Sequence, residues 1–547
     1  MRTRSDALSH IEDRSFDVCV IGGGATGSGC ALDAQLRGLK TVQLEARDFA
    51  SATSSTSTKM IHGGVRYLEQ AIRELDVKEF KVLTRALHER IHMLRNAPYL
   101  TRTQVFLTPC FNWWSVVYFE IGLKLYDWIA GKAGLAPSSL VPRKELLRRM
   151  PALNPERLVG AVAYVDGQFD DARYNIALVK TFAEAGGEAL NHARVVDFVK
   201  DSAGKIAAVE VEDQLSRRRF PVRARAFINA TGPFADTVRQ LATPGAAPRM
   251  RLSKGVHILL PLDVLPGQDA LLIPRTEDGR VLFAIPWFGL LLVGTTDEEV
   301  GVHDDLFLKH AEVEYLLRHL NRYLARHVAP ESIVSGSAGA RPLVHAASGA
   351  DTKKLARDHE IELDPRSKLI SIMGGKWTTY RAMAEDTVNA VQDLLGQPRV
   401  PSQTLNRQLV GSDGYTPEYA QDLMKQWQVS ELTAKHLAQK YGTVAPQVLA
   451  LAREDPHLAA PLVDGLAPIQ AEVIYAARQE MAVSVEDVLA RRIGLQLFAW
   501  RAAIRAAPAV TRLLAQELRW PKSQEMESIS SYTQMIESLF QKAGLPS

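Results

Sequence analysis

Five apolar residues in six, FDVCVI from Phe16 to Ile21, run straight into a cluster of glycines. The pattern predicts a buried strand, a tight turn and then a helix over GGGATGSGCALDAQLRG, followed by a second strand, LKTVQLE, that closes at Glu45. That is a β-α-β unit. Apolar positions at helical spacing predict a long helix between Asp76 and Leu100. From Arg194 the period changes: VVDFVKD and IAAVEVED, joined by SAGK, read as a hairpin, and RARAFINATG as a third strand ending in a small-residue turn. KGVHILLP, DALLIPR, VLFAIPW and LLLVGTTD, between Arg251 and Asp297, predict a mostly antiparallel sheet separate from the first unit, with the Glu277–Asp278–Gly279 turn joining two of its strands. At Leu369–Gly396 a strand enters a second glycine turn and an amphipathic helix carrying Met383, Val388, Val391 and Leu395. A Pro/Ser/Gly-containing linker follows. Beyond it the pattern is helical to the end, without a repeat.

The length of 547 residues suits roughly three domains, and 46% apolar with 23% charged residues is ordinary globular composition. A net charge of +3 gives no reason to expect a nucleic-acid partner. Three cysteines, Cys19, Cys30 and Cys110, make neither a disulfide framework nor a metal-binding cluster, so no metal is expected and a reducing compartment is the default. The polar start, MRTRSDALSHIEDRS, predicts no secretory signal. No apolar run is long enough to span a bilayer. The nearest, Phe111 to Gly131, is interrupted by Glu120, Lys124 and Asp127. It reads as a surface helix burying Val117, Ile121, Leu125 and Trp128, or as a helix lying flat in a membrane interface with Trp113 and Trp114 as anchors.

Gly22, Gly24 and Gly27 fit G-x-G-x-x-G. The first permits the tight turn, the second lets backbone approach a pyrophosphate, and the third lets helix and strand pack closely. The helix start then offers N–H groups and a partial positive charge to phosphate. Glu45 lies 23 positions after Gly22, where a carboxylate meets a ribose 2′-hydroxyl. The ligand is a dinucleotide, NAD or FAD. The hydroxyl- and glycine-rich run SATSSTSTKMIHGGVRYLE favours FAD, because a flavin enzyme must lead its chain along the pyrophosphate and under the isoalloxazine. Ser54, Ser55, Lys59, His62 and Gly63 are the candidate contacts within it.

The set VIGGGATGSG, ATSSTSTKMIHGGVRYLE, FINATGPFAD, GSAGARPL and IMGGKWTTYR closely resembles the FAD-dependent, respiratory, quinone-linked glycerol-3-phosphate dehydrogenases, and EMAVSVEDVLARRIGLQLF resembles that family's helical cap. Thr56 and Trp377 depart from the family's usual residues without touching a charge. The resemblance implies an α/β fold in three parts. A Rossmann-like, glutathione-reductase-type FAD domain takes 1–75, 160–250 and 365–398. An antiparallel-sheet substrate domain takes 76–159 and 251–364, and an all-helical C-terminal cap takes 399–547. It implies oxidation of sn-glycerol 3-phosphate to dihydroxyacetone phosphate, with electrons passed to a membrane quinone from a peripheral position on the inner face of the cytoplasmic membrane, and it is compatible with a homodimer.

The substrate's phosphate dianion calls for arginine, and Arg66 and Arg341 are the candidates, with Tyr67 lining the same pocket. His257 is the candidate general base, Arg341 a neighbour that lowers the alcohol pKa, and Lys376 a cation for the substrate or the reduced flavin. Gly375, Thr378 and Thr379 would offer N–H groups at the helix start beside the flavin pyrimidine. Thr231 and Gly232, after Asn229, would turn beside the cofactor, and the resemblance puts Val195 at the adenine. Alternatives are an oxidase of the same fold using oxygen, an FAD-dependent amine or amino-acid oxidase, and a non-catalytic FAD sensor.

Overall fold

The computed structural model describes residues 2–63, 77–344 and 359–546. The first sheet is built on Ser15–Ile21, which runs parallel to Arg219–Asn229 on one side and Thr41–Leu44 on the other. Glu188–Leu190 extends it in parallel beyond Thr41–Leu44, and Ile370–Gly374 beyond Arg219–Asn229. His359–Leu363 closes that edge antiparallel, and the Ala193–Lys200/Ile206–Asp213 hairpin joins the start of Arg219–Asn229. Strand order reverses at Ser15–Ile21. Helices Ala25–Leu36, Asp171–Glu184 and Tyr380–Leu394 pack together over this sheet. The apolar FDVCVI run follows from burial on both faces, with Val18, Cys19 and Val20 fully inside.

The second sheet runs in the order Glu298–Val300, Met250–Pro261, Leu290–Gly294, Leu282–Trp287, Ala270–Ile273, Thr101–Cys110, Gly160–Phe169, Met60–Ile61. Ser335–Val344 lies along the other side of Met250–Pro261, and all these pairs are antiparallel except Ala270–Ile273 with Thr101–Cys110. The expected domain limits shift accordingly. Met60–Ile61 and Gly160–Phe169, expected in the cofactor domain, are strands of the second sheet, while His359–Leu363 belongs to the first. Alternation along such short segments does not say which of two sheets will recruit them.

The C-terminal part is helical, with helices Tyr419–Trp427, Glu431–Tyr441, Ala445–Glu454, Ala471–Glu480, Trp500–Leu518 and Lys522–Ala543 and a π-helical turn at Asp487–Arg492. Its apolar core is continuous with that of the second sheet. The expected linker is a strap tied to the body. Asn96 donates to Thr404 O, Leu409 N to Asn96 O, and Tyr99 OH to Val410 O.

Helix Trp113–Ala130 reverses the expected burial. Val116, Leu123, Tyr126 and Ala130 face inward, with Leu83 and Leu87 packed in the same cluster as Tyr126 and Ala130. Val117, Ile121 and Trp128, expected inside, are exposed, and Trp113 and Trp114 are 69% and 85% accessible. Both stripes are apolar, so periodicity alone could not orient the helix.

Trp500, 1% exposed and edge-on to Phe540 at 5.0 Å, anchors the helical core. Trp500→Ala is expected to destabilise the fold by about 3–5 kcal/mol, read as a lower urea midpoint.

Candidate functional site

The glycine loop leaves the carboxyl end of Ser15–Ile21 at the point where strand order reverses. Gly22 has φ +119°, and a Cβ on it would sit 2.5 Å from Ala230 O. A Cβ on Gly27 would sit 2.1 Å from Gly22 O, and on Gly24 2.8 Å from Ser54 Oγ. Backbone occupies the space at Gly22 and Gly27, and the Ser54 hydroxyl at Gly24. Glu45 accepts from Gly23 N at 2.6 Å and from Arg47 N at 2.8 Å, and burial pushes its carboxyl up. Ser54 Oγ accepts from Ala25 N, the first helical residue, at 2.9 Å. Thr231 and Gly232 come to the same place, since Ala230 packs on Gly22 and Asn229 Oδ1 accepts from the Thr231 hydroxyl at 2.7 Å. Val195 lies on the strand that starts where Ala193 N donates to Glu45 O at 2.7 Å. These residues form a cradle with a helix N-terminus at its floor, which fits a dinucleotide pyrophosphate with ribose near Glu45.

Residues Thr53–Lys59 leave that cradle and cross the second sheet. Thr53 Oγ1 donates to Ala340 O at 2.6 Å, Thr56 Oγ1 lies 2.1 Å from where a Gly339 Cβ would be, and Thr58 Oγ1 meets His257 Nε2 at 3.0 Å. Trp377 Nε1 donates to Ser54 O at 2.9 Å and brings Gly375–Lys376 onto the same loop. Gly375 has φ +76°, and a Cβ there would meet Met383 Sδ at 2.4 Å. Lys376 is half-buried and extended ahead of the Trp377–Thr379 turn, where Thr378 and Thr379 are buried; the α-helix starts at Tyr380. Trp377 stands edge-on to Phe169, Tyr174 and Tyr380, which accounts for an aromatic residue after the lysine.

Arg341 and His257 share one face of the second sheet. Arg341 donates to Thr295 Oγ1 at 2.8 Å and to Thr296 O at 3.1 Å, and its guanidinium lies over Gly255, where a Cβ would fall 2.2 Å from Nη2. His257, two residues along the strand from Gly255, therefore projects on the same side. A Cβ on Gly294 would sit 2.2 Å from its Cδ2. Its Nδ1 is buried with no hydrogen-bond partner among the described residues. Burial, then the charges of Arg341 and Lys59, push its pKa down to about 3. The imidazole is neutral at rest.

Two of the expected contacts are tied into the protein. The ammonium of Lys59 is held by Ser55 O at 2.6 Å and by Asp171 at 2.5 Å, so its charge is neutralised inside the protein. Gly63 packs beneath Tyr126 and Leu87, with His62 half-buried beside it. Arg66 and Tyr67 lie outside the described residues. Thr58, Gly255, Gly294, Thr295 and Thr296 are site residues that the sequence reading passed over. The hydroxyl pair after LLLVG is the signal for two of them. Among the described residues, the carboxylates and imidazole of Asp48, His192 and Asp487 come within 4.8 Å of one another, but Arg491 and Arg492 occupy the carboxylate oxygens, which is a poor donor set for a cation.

Fold and cradle together define a dinucleotide-binding α/β protein whose second sheet closes on the cofactor loop. The family model described as FAD dependent oxidoreductase matches residues 17–377, and that of the C-terminal domain of alpha-glycerophosphate oxidase matches residues 402–525. The mitochondrial glycerol-3-phosphate dehydrogenase of Bos taurus is 39% identical over 527 residues, covering 94% of this chain and 72% of its own. That of Homo sapiens is 39% identical over 541 residues, covering 97% and 74%. The solved glycerol-3-phosphate dehydrogenase from Bacillus halodurans, complexed with FAD, superposes with a TM-score of 0.79 at 29% identity, covering 99% of this chain and 97% of that one. The L-alpha-glycerophosphate oxidase of Mycoplasma pneumoniae shares the fold at a TM-score of 0.56 and 18% identity, over 72% of this chain and 98% of that one. The chain belongs to the FAD dependent oxidoreductase family, in its glycerol-3-phosphate dehydrogenase branch.

A histidine held neutral by burial favours the fold above its unfolded pKa of about 6.5, and that contribution is lost as pH falls from there toward 3. His257→Asn is therefore expected to flatten the fall in urea midpoint between pH 7 and 5.

Proposed function

We propose that the protein oxidises sn-glycerol 3-phosphate to dihydroxyacetone phosphate with FAD as its resident cofactor, and that the electrons go to a membrane quinone. The observation that carries this reading is the pairing of Arg341 with a buried, neutral His257 against the loop that leaves the glycine cradle. Bound FAD supplies a two-electron acceptor for the hydride from C2. Arg341 grips the substrate's oxygens through its guanidinium fork and stabilises negative charge on the C2 oxygen. His257 takes the hydroxyl proton at Nδ1. A dianion arriving beside the imidazole raises its pKa from the resting value, so the base strengthens when substrate is present. Lys376 adds a second cation, and Arg66 and Tyr67 complete the pocket in this reading.

The quinone as acceptor is supported by helix Trp113–Ala130. Trp113, Trp114, Val117, Tyr118, Ile121 and Trp128 expose an aromatic-rich face, and no described helix is long and apolar enough to cross a membrane. In our reading this helix lies in the headgroup region of the inner face of the cytoplasmic membrane, with its rings at the level tryptophan prefers. A second reading, oxygen as acceptor, is favoured by the match of residues 402–525 to a glycerophosphate oxidase domain.

Anaerobic mixing with glycerol 3-phosphate is expected to bleach the flavin band promptly, and Arg341→Ala to slow bleaching by about 100-fold or more. Protein that cannot hold FAD, or whose flavin ignores this substrate, defeats the reading. Fast reoxidation by a soluble quinone with little peroxide supports the first acceptor, and stoichiometric peroxide the second. Replacing Trp113, Trp114 and Trp128 with serine is expected to abolish cosedimentation with anionic vesicles while bleaching in solution persists.

A further inference from the structure

The C-terminal helices meet the cofactor loops through two sets of buried charges. In the first, Arg492 makes a bidentate pair with Asp48 at 2.6 and 2.8 Å, both side chains fully inaccessible. Arg491 bridges Asp48 and Asp487 at 2.6 and 2.8 Å, and Asp487 meets His192 at 3.0 Å. Arg492 also donates to Glu480 O at 2.8 Å, and Asn191 Nδ2 ties Asp48 to Met481 O. In the second set, Arg173 makes a bidentate pair with Glu480 at 2.7 and 3.0 Å, and Lys440 pairs with Asp170 at 2.6 Å.

Both sets lead to one peptide group. Asp48 precedes Phe49, which packs where a Gly23 Cβ would be, and Ala50 N donates to Gly23 O at 3.1 Å. Two residues after Arg173, on the same helix, Asn175 Nδ2 donates to Gly23 O at 2.8 Å. The planar trans peptide places the Gly24 N–H opposite the Gly23 carbonyl. Two donors on that carbonyl therefore aim the Gly24 N–H away from themselves, and they polarise it. Gly24 is the position where backbone approaches a pyrophosphate.

We propose that the C-terminal helical domain is a positioning element for the cofactor: through Arg492–Asp48 and Glu480–Arg173 it clamps the Gly23–Gly24 peptide, so that retention of the dinucleotide depends on residues of the 480–492 segment. Substrate recognition, on the second sheet, does not depend on them. The proposal rests on FAD as the bound group. Asp48 and Arg492 are 444 positions apart, so the clamp forms only when the last domain has docked. Burial alone would raise the Asp48 carboxyl, but the Arg492 and Arg491 guanidinium groups outweigh it and hold the pKa below its ordinary value, which keeps the carboxylate charged in the clamp.

The test is the rate at which diluted holoenzyme releases FAD, followed by free flavin fluorescence. Arg492→Lys keeps the charge but loses the fork, and it is expected to release FAD about tenfold faster, with the KM for glycerol 3-phosphate of fully loaded enzyme unchanged. His192→Gln, at the half-buried end of the cluster, is expected to give a smaller acceleration. Glu312→Gln removes the nearer of the two carboxylates, Glu312 and Glu298, that pair with the buried Lys254 in the second sheet, and it serves as the control, with a lower urea midpoint and unaltered FAD release. The proposal is overturned if Arg492→Lys releases FAD at the wild-type rate, or if Glu312→Gln accelerates release equally for the same loss of stability. Should Arg492→Lys not fold, an unchanged rate in His192→Gln overturns it. A wild-type protein that binds no FAD defeats the functional reading instead.

Discussion

Everything in the cofactor site depends on how closely backbone can approach backbone between Gly22 and Gly27. With Gly22 O 2.1 Å from a hypothetical Gly27 Cβ, the turn, the helix and the neighbouring strand can meet only if that side chain is a hydrogen. That contact sets the helix N-terminus at the end of Ser15–Ile21. The helix N-terminus then receives Ser54, and Ser54 in turn takes the Trp377 indole through its carbonyl. The loop from Thr53 to Lys59 is thereby held at one end by the first sheet and at the other by the second. The Arg341–His257 face of the second sheet reaches the glycine cradle because this one segment belongs to both.

The charges buried around the cradle are arranged to be satisfied in full. Lys59 with Asp171, Lys440 with Asp170, Arg173 with Glu480 and Arg492 with Asp48 are all nearly inaccessible pairs. Pairs of this kind gain little net stability over apolar residues of the same shape, because desolvation offsets most of the attraction, but breaking one by losing a partner costs about 3–5 kcal/mol. Their value lies in geometry: a fork on a carboxylate fixes direction as well as distance. Three of the four pairs attach to the Asp170–Arg173 turn, and that turn starts the helix that touches Gly23. A shift of the C-terminal helices therefore has a route to the glycine loop that does not pass through either hydrophobic core.

How much of this was legible in the chain varies with how local the determinants are. The glycine loop, the strands on either side of it and the hairpin from Ala193 were readable because period, turn residues and spacing lie within forty residues of one another. Arg341 and His257 were singled out from the sequence, and the fold brings them to one face of one sheet. Lys59 was singled out as a cofactor contact, but its ion pair with Asp171, 112 positions on, could not be seen from the loop itself. The burial of helix Trp113–Ala130 was misread because two apolar stripes compete and only tertiary packing chooses between them. The recruitment of Gly160–Phe169 to the second sheet was hidden for the same reason: its partner Thr101–Cys110 lies beyond two helices and a strand.

The electrostatics of the substrate face follow from the same long-range assembly. His257 sits in a field made by Arg341 and, through the crossing loop, by Lys59, and both push the imidazole toward its neutral form. The ammonium of Lys59 is held by Asp171, and the Arg341 guanidinium donates to the Thr295 hydroxyl and the Thr296 carbonyl. The second sheet and the crossing loop thus set two cationic groups around an uncharged imidazole. In the proposed reading an anionic ligand offsets their field and, in the same act, lowers the penalty on protonating His257. In that reading recognition of the anion and activation of the base are one electrostatic event, and a neutral polyol of the same shape would obtain the first contacts without the second effect.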